Sequence, residues 1–102
     1  MSVFKVTKEN FGEVKSSEKR VLLDFYADWC GPCRMVSPLV EKIAEEHDEY
    51  LICKINVDEQ PELAAAFAVS SIPTLVVMEN GKIINPASGA RPLPQILAML
   101  DG

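Results

Sequence analysis

The chain has 102 residues, of which 48% are hydrophobic and 25% are charged. This length supports one compact core and is too short for two, so we expect a single domain over residues 1–102. The net charge is −5, and no basic cluster is interleaved with aromatic residues, which argues against nucleic acid as a partner.

Strand and helix patterns alternate from the start of the chain. Residues 3–6 fit a short strand, and Thr7 is placed to cap a helix that buries Phe11 and Val14. The near-continuous apolar run at residues 21–26 is typical of a strand covered on both faces, as in a parallel sheet. These patterns predict the first part of an α/β unit.

An amphipathic helix is predicted next, beginning near Cys33. Its apolar residues recur with a period near 3.6, and they are Met35, Val36, Leu39, Val40, Ile43 and Ala44. Pro38 predicts a kink within this helix, because a proline removes one backbone hydrogen bond. Residues 51–57 fit a second buried strand. Pro61 then begins a short helix whose inward-facing residues are Leu63, Ala66 and Phe67.

The remaining elements predict a hairpin and a last helix. Strands at residues 74–78 and 82–84 flank Asn80-Gly81, a pair suited to the positive φ angles of a type I′ turn. Pro86 requires that the second of these strands lies at a sheet edge or ends there. The final helix follows, with Pro94 in its first turn and an apolar face formed by Leu93, Ile96, Leu97 and Leu100.

The segment Trp29-Cys30-Gly31-Pro32-Cys33 lies between a predicted buried strand and a predicted helix, which makes it a candidate redox site. Residues three apart share one helix face, close enough for a disulfide to open and close with little backbone movement. The positive end of a helix also stabilises a thiolate, the species that attacks disulfides. Cysteines that only fill a core are the alternative.

Two further side chains near this motif have open interpretations. Asp24 interrupts a buried strand, where burial would raise the pKa of its carboxyl group and suit it to move protons. It could equally face outward on a half-exposed strand. Trp29 is either a core residue or an exposed binding platform beside a reactive thiol.

Metal binding is a competing interpretation of the cysteines. Cys53 and His47, together with the Cys30/Cys33 pair, make a formal set of four possible zinc ligands. Zinc sites usually bring a second pair at short spacing, whereas Cys53 lies inside a predicted strand. We therefore expect no metal and a buried, inert Cys53.

The motif and several phrases at matching spacing resemble the thioredoxin family, from about Val3 to Leu100. The phrases occupy residues 21–29, 54–58, 72–75 and 80–82, and Gly89 follows them. The resemblance implies an α/β thioredoxin fold with a central mixed five-stranded sheet flanked by about four helices.

Site residues follow from the same resemblance. It implies that Cys30 is the exposed attacking thiol, that Cys33 is the buried resolving thiol, and that Asp24 is a base behind Cys33 with Lys54 nearby. It also implies a cis Ile72–Pro73 bond, although X-Pro bonds in general favour trans. The implied docking surface consists of Trp29, Gly31, Pro32, Ile72, Pro73, Gly89 and Ala90.

The resulting hypothesis is a protein disulfide reductase whose redox group is the Cys30–Cys33 disulfide, without a bound cofactor. Its implied partners are disulfide-containing target proteins and a thioredoxin reductase, usually an NADPH flavoprotein. A redox-silent protein-binding module is the alternative. The odd number of three cysteines fits a reducing compartment, and the N-terminus lacks a signal-peptide pattern. We therefore expect a cytoplasmic monomer that does not associate with membranes.

Overall fold

The computed structural model describes residues 3–102 as a five-stranded sheet with four helices. The strands are β1 (Phe4–Lys5), β2 (Arg20–Tyr26), β3 (Tyr50–Asn56), β4 (Thr74–Glu79) and β5 (Lys82–Ser88). The helices are α1 (Phe11–Lys15), α2 (Gly31–Glu46), α3 (Pro61–Ala66) and α4 (Leu93–Asp101). The predicted element order is confirmed.

The sheet is mixed, with strand order β1-β3-β2-β4-β5. Strands β1, β3 and β2 run parallel, because each is joined to the next in sequence through a helix, whereas β4 runs antiparallel to β2 and to β5. Strand β5 lies at the edge, which is where Pro86 is tolerated. The strand continues to Ser88, so the predicted end at Ile84 was wrong.

The β4–β5 turn has the predicted geometry. Asn80 and Gly81 both have positive φ angles, of 53° and 78°. This combination matches the right-handed twist of the two strands.

Alternating residues of the strands divide the core into two apolar clusters. On one face of the sheet, Leu22 of β2 packs with Val36 and Val40 of α2 and Ile96 of α4. On the other face, Leu23 and Phe25 pack with residues of α1 and α3. Because side chains alternate along a strand, Asp24 points to the same face as Leu22, toward α2.

Several local predictions were wrong. The N-cap of α1 is Asn10 and not Thr7; the Asn10 side chain instead accepts a hydrogen bond from the Thr7 N–H, at 2.8 Å. Met35 of α2 is 71% exposed instead of buried. Ala66, at the last position of α3, is exposed.

Helix α2 is one continuous element from Gly31 to Glu46 with Pro38 inside it, as the uninterrupted apolar stripe predicted. Over residues 3–102, the helices are all too short or too polar to cross a lipid bilayer.

Candidate active site

The two cysteines of the motif lie where the carboxyl end of β2 leads into α2. Cys30 and Cys33 form a disulfide with a Cα–Cα distance of 5.3 Å, which is within the range that disulfides need. With Ala27 they form a small buried cluster, on which Tyr26, Val57 and Ile72 pack. The pair can therefore be oxidised without rearranging the backbone around it.

Cys30 is the N-cap of α2. Its Sγ accepts a hydrogen bond from the backbone N–H of Cys33, at 3.2 Å, and Pro32 occupies the first turn, where it sacrifices no helical hydrogen bond. The same N–H and the positive helix end would stabilise a negative charge on this sulfur after reduction. The local structure therefore favours an attacking thiolate at Cys30.

The exposure of the pair differs from what the resemblance implied. Cys30 is 4% exposed and Cys33 is 3% exposed, so Cys30 is not the exposed residue we expected. As an N-cap its side chain turns back over the helix end and into the disulfide. Gly31 and Pro32 beside it are exposed, so solvent and partners meet the backbone around the sulfur first.

Asp24 is a buried carboxyl group without a hydrogen-bond partner. It is 1% exposed, and neither of its carboxyl oxygens is hydrogen-bonded. Burial raises the pKa of Asp24 from 3.8 to about 7, and the positive charge of Lys54 limits the rise. The alternative, that Asp24 faces outward, is therefore wrong. A carboxyl group with a pKa of about 7 can exchange protons near neutral pH.

Lys54 is the register partner of Asp24 on the neighbouring parallel strand β3. Its ammonium group donates a hydrogen bond to Ser37 Oγ of α2, at 2.6 Å, and lies 4.4 Å from the centre of the Tyr26 ring. These groups line an open cavity of about 190 Å³ whose walls are Tyr26, Ala27, Asp28, Cys33, Arg34, Ser37 and Lys54. Solvent can thus approach Cys33 from the side of Lys54.

Trp29 is a surface residue, with 68% of its area exposed. Its indole N–H donates to Asp58 Oδ2, at 2.9 Å, which fixes the ring beside the disulfide. A groove of about 410 Å³ extends from the ring along Val57, Ala64, Val69, Ser70, Ser71 and Ile72. Trp29 is therefore not a core residue, and its exposed ring lies at the edge of this groove.

Two loops from the second half of the chain complete this end of the molecule. The Ile72–Pro73 bond is cis, as the resemblance implied, and Ile72 packs on the disulfide cluster. The Gly89 N–H donates to the Pro73 carbonyl oxygen, at 2.8 Å, and Gly89 has a φ of 90°, a conformation that favours glycine. Ala90, next to it, is exposed and lines a separate cavity with Met35.

Two residues of the site were absent from the sequence-based set. Asp58 follows the buried strand β3 in the phrase at residues 54–58, so its place at the carboxyl end of a strand was a usable signal. Ser37 lies on α2 four residues after Cys33, hence on the same face, but nothing in the sequence marked the contact with Lys54.

The structure does not bring the four candidate zinc ligands together. Cys53 is fully buried in the apolar cluster on the α1/α3 face, where burial raises the pKa of its thiol to about 12. His47 lies at the other end of α2, where it stacks on Tyr50 and pairs with Glu49. Within residues 3–102, no three His, Cys, Asp or Glu side chains are grouped to hold a metal ion.

Comparisons with known proteins agree with this geometry. The family model described as Thioredoxin matches residues 2–102. The thioredoxin of Porphyra purpurea is 47% identical over 103 residues, covering 99% of this chain and 96% of the relative. That of Listeria monocytogenes is 46% identical over 95 residues, covering 92% of this chain and 91% of the relative.

Solved structures give the same result. A mutant thioredoxin from Halobacterium salinarum NRC-1 superposes with a TM-score of 0.91 at 36% identity, covering 98% of this chain and 88% of that chain. A structure described as the basis of thiol resolving in yeast mitochondrial 1-Cys peroxiredoxin via glutathione/thioredoxin systems has a TM-score of 0.87 at 30% identity. It covers 99% of this chain and 96% of that chain.

Proposed function

Since this chain belongs to the thioredoxin family, we propose that Cys30 attacks the disulfides of target proteins and that Cys33 then releases the reduced target. The chain is a thiol–disulfide oxidoreductase, and its redox group is the disulfide of its own cysteines. The observation that carries the assignment of roles is the position of Cys30 as N-cap of α2.

The first step begins from the reduced protein. The Cys30 thiolate attacks one sulfur of the target disulfide, forming a Cys30–target disulfide and releasing the other target sulfur as a thiolate. The Cys33 N–H that Cys30 Sγ accepts from would hold the attacking sulfur in place. Trp29, Gly31 and Pro32 surround this sulfur and are exposed, which supports their assignment to the docking surface.

In the second step, Cys33 attacks the Cys30 sulfur. The Cys30–Cys33 disulfide forms, the second target sulfur leaves as a thiolate, and two electrons have passed to the target. Cys33 must first lose its proton. We assign that proton to Asp24, directly or through a water, because its carboxyl pKa of about 7 allows it to accept and return a proton at neutral pH. The positive charge of Lys54 lowers the pKa of Asp24 and so limits the rise that burial causes.

An extended segment of the target would bind across the loops beside the disulfide. Ile72 and Pro73 precede β4. In this proposal the backbone of Ile72 would pair with such a segment as an added strand. Gly89 and Ala90 form the adjoining loop, held to Pro73 by the Gly89 N–H bond. The groove along Trp29 would accept apolar side chains of the target.

Trapping of the mixed disulfide tests the two cysteine roles. With Cys33→Ser, a disulfide-containing target such as insulin should remain covalently attached at Cys30, detected by mass spectrometry, whereas Cys30→Ser should trap nothing. Cys53→Ser is the matched control and should reduce insulin with dithiothreitol as the unmodified protein does. Equal trapping through Cys33 in the Cys30→Ser variant would contradict the assignment.

Recycling and location complete the proposal. The family implies a reductase that restores the dithiol, and we propose an NADPH-dependent flavoprotein, with the chain acting as a cytoplasmic monomer of one domain. Coupling the purified protein to an NADPH-dependent and to a ferredoxin-dependent reductase, with insulin as acceptor, distinguishes the two. Turnover with only the ferredoxin-dependent enzyme would contradict the first choice.

A further inference from the structure

Lys54 and Asp24 face each other on neighbouring strands but do not form an ion pair. They are register partners on β3 and β2, and both point toward α2. Yet both carboxyl oxygens of Asp24 are buried without any hydrogen-bond partner. A flexible ammonium group next to an unpartnered carboxylate would be expected to bind it, because the pair would offset part of the cost of burying the charge. Something must hold Lys54 elsewhere.

The ammonium group of Lys54 is held on the side of α2. It donates to Ser37 Oγ, at 2.6 Å, and the Tyr26 ring lies 4.4 Å away, within reach of a cation–π interaction. The Ser37 hydroxyl in turn donates to Glu41 Oε2, at 3.4 Å, one turn along the helix. Donation to a carboxylate strengthens the hydroxyl oxygen as an acceptor for the ammonium group. Ser37 thus links a cation and an anion that do not touch directly.

We propose that Ser37 is a positioning residue that holds the Lys54 ammonium group away from the Asp24 carboxyl group and so sets the pH at which Asp24 exchanges protons. The charge balance around Asp24 supports this. On the same face of the sheet, β4 presents the uncharged Leu75 as the register partner of Asp24, and the α2 residues that pack there include the uncharged Val36 and Val40. Cys33, which lines the Lys54 cavity, is part of the disulfide. The other charged groups at the Lys54 cavity are Asp28, Arg34 and, through Ser37, Glu41.

The consequence for catalysis rests on the proposed role of Asp24 as a base. A Lys54 held close to Asp24 would keep the carboxylate ionised and make it a weaker base toward Cys33. A Lys54 held at Ser37 leaves the carboxyl group able to take a proton near neutral pH.

The test is the titration of Asp24 in the oxidised protein, followed by the ¹³C NMR shift of its carboxyl carbon, because neither Cys30 nor Cys33 titrates in that state. Ser37→Ala removes the acceptor and frees Lys54 to approach Asp24. As a general scale, moving a unit charge from about 6 Å to about 4 Å from a carboxylate lowers the midpoint of that carboxyl group by about one pH unit at an effective dielectric constant of about 20. We therefore expect a downward shift of this size.

Three variants separate positioning from a merely structural effect. Ser37→Thr keeps the hydroxyl and should restore the midpoint. In a Lys54→Met background, Ser37→Ala should produce no shift, because there is no ammonium group to move. Glu45→Ala, an exposed change on the same helix, is the control and should leave the midpoint unchanged.

An unchanged or raised midpoint in Ser37→Ala would overturn the proposal, as would a downward shift that persists in the Lys54→Met background. These outcomes do not depend on the catalytic role of Asp24, since no turnover is measured. That role is tested separately, by the pH profile of insulin reduction by Asp24→Asn: a profile unchanged from that of the unmodified protein would refute the base assignment and leave the Ser37 result intact.

Discussion

The buried carboxyl group of Asp24 makes the stability of the protein depend on pH, and Asp24→Asn should remove this dependence. Asparagine has nearly the same shape as a protonated aspartic acid but cannot ionise. In the folded protein Asp24 keeps its proton up to a pKa of about 7, whereas in the unfolded chain it loses the proton near 3.8. The folded state therefore binds the proton more tightly, and stability due to this group is lost as pH rises through this interval.

The size of the effect follows from the two pKa values. At about 1.4 kcal/mol for each tenfold change in proton affinity, a rise from 3.8 to about 7 corresponds to a penalty of about 4 kcal/mol once Asp24 is fully ionised. The penalty is about 3 kcal/mol at pH 6 and under about 1 kcal/mol at pH 4. Against a total of about 5 to 15 kcal/mol for ordinary domains, this is a large fraction.

The assay is denaturant unfolding of the oxidised protein at pH 4, 6 and 8, followed by circular dichroism. The free energy of unfolding of Asp24→Asn should exceed that of the unmodified protein by about 4 kcal/mol at pH 8 and should nearly match it at pH 4. Asp48→Asn, at an exposed position, is the control and should show a small difference at every pH. A gain that is independent of pH, or largest in acid, would refute the reasoning.

Three further outcomes are expected. Leu22→Ala should lower the free energy of unfolding by about 2 to 5 kcal/mol in denaturant titration, since it leaves a cavity beneath α2 and α4, whereas the exposed Ile84→Ala should cost under about 1 kcal/mol. Gly81→Ala should lower the free energy of unfolding by about 1 to 2 kcal/mol in the same assay, because φ is 78° there. Gly12→Ala should show no such loss, because Gly12 has free space around it and an ordinary φ. Cys53 should remain unlabelled by iodoacetamide in the native reduced protein and react only after unfolding, as measured by mass spectrometry, because it is fully buried with a thiol pKa of about 12.

Each of these has a clear contrary result. A loss at Leu22 no larger than that at Ile84 would mean that the cluster on the α2/α4 face does not stabilise the fold. Equal costs at Gly81 and Gly12 would show that the positive φ angle is not the cause. Labelling of Cys53 at the rate of an exposed thiol would contradict its burial.

The elements could be predicted from sequence because their signals are independent of tertiary contacts. Strands β2 and β3 are mostly apolar runs, and Asn80-Gly81 needs only its own backbone preference to form the turn. Helix starts were harder to place. Thr7 and Asn10 are both residue types that favour the N-cap position of a helix. Which of them precedes α1 depends on the turn between them, in which the Asn10 side chain accepts a hydrogen bond from the Thr7 N–H.

Burial at the ends of helices was the other source of error. Met35 lies next to the buried Val36, and a period of 3.6 does not decide which of two adjacent residues faces the sheet. In α2 it is Val36 that packs on the sheet, and Met35 meets solvent. Ala66 is at the end of a helix of six residues, where a small side chain gives no strong preference for either side.

Within the active site, sequence patterns identified Cys30, Cys33 and Asp24 but not the polar side chains that hold Trp29 and Lys54 in place. Cys30, Cys33 and Asp24 stand out because each is unusual in its local pattern. Asp58 and Ser37 are residue types that are common on any protein surface, so nothing in the sequence sets them apart. The hydrogen bonds from Trp29 to Asp58 and from Lys54 to Ser37 each join segments that are distant in the chain. Such contacts depend on tertiary packing, which local periodicity does not describe.

The bond from the Gly89 N–H to the Pro73 carbonyl oxygen joins the loop before β4 to the loop after β5 through main-chain atoms alone. Because side chains take no part in this bond, substitutions at the neighbouring positions Ser88 and Ser71 would leave the link between the two loops intact. On the docking surface proposed above, such substitutions would change which target side chains are preferred while the backbone that a target meets keeps its position.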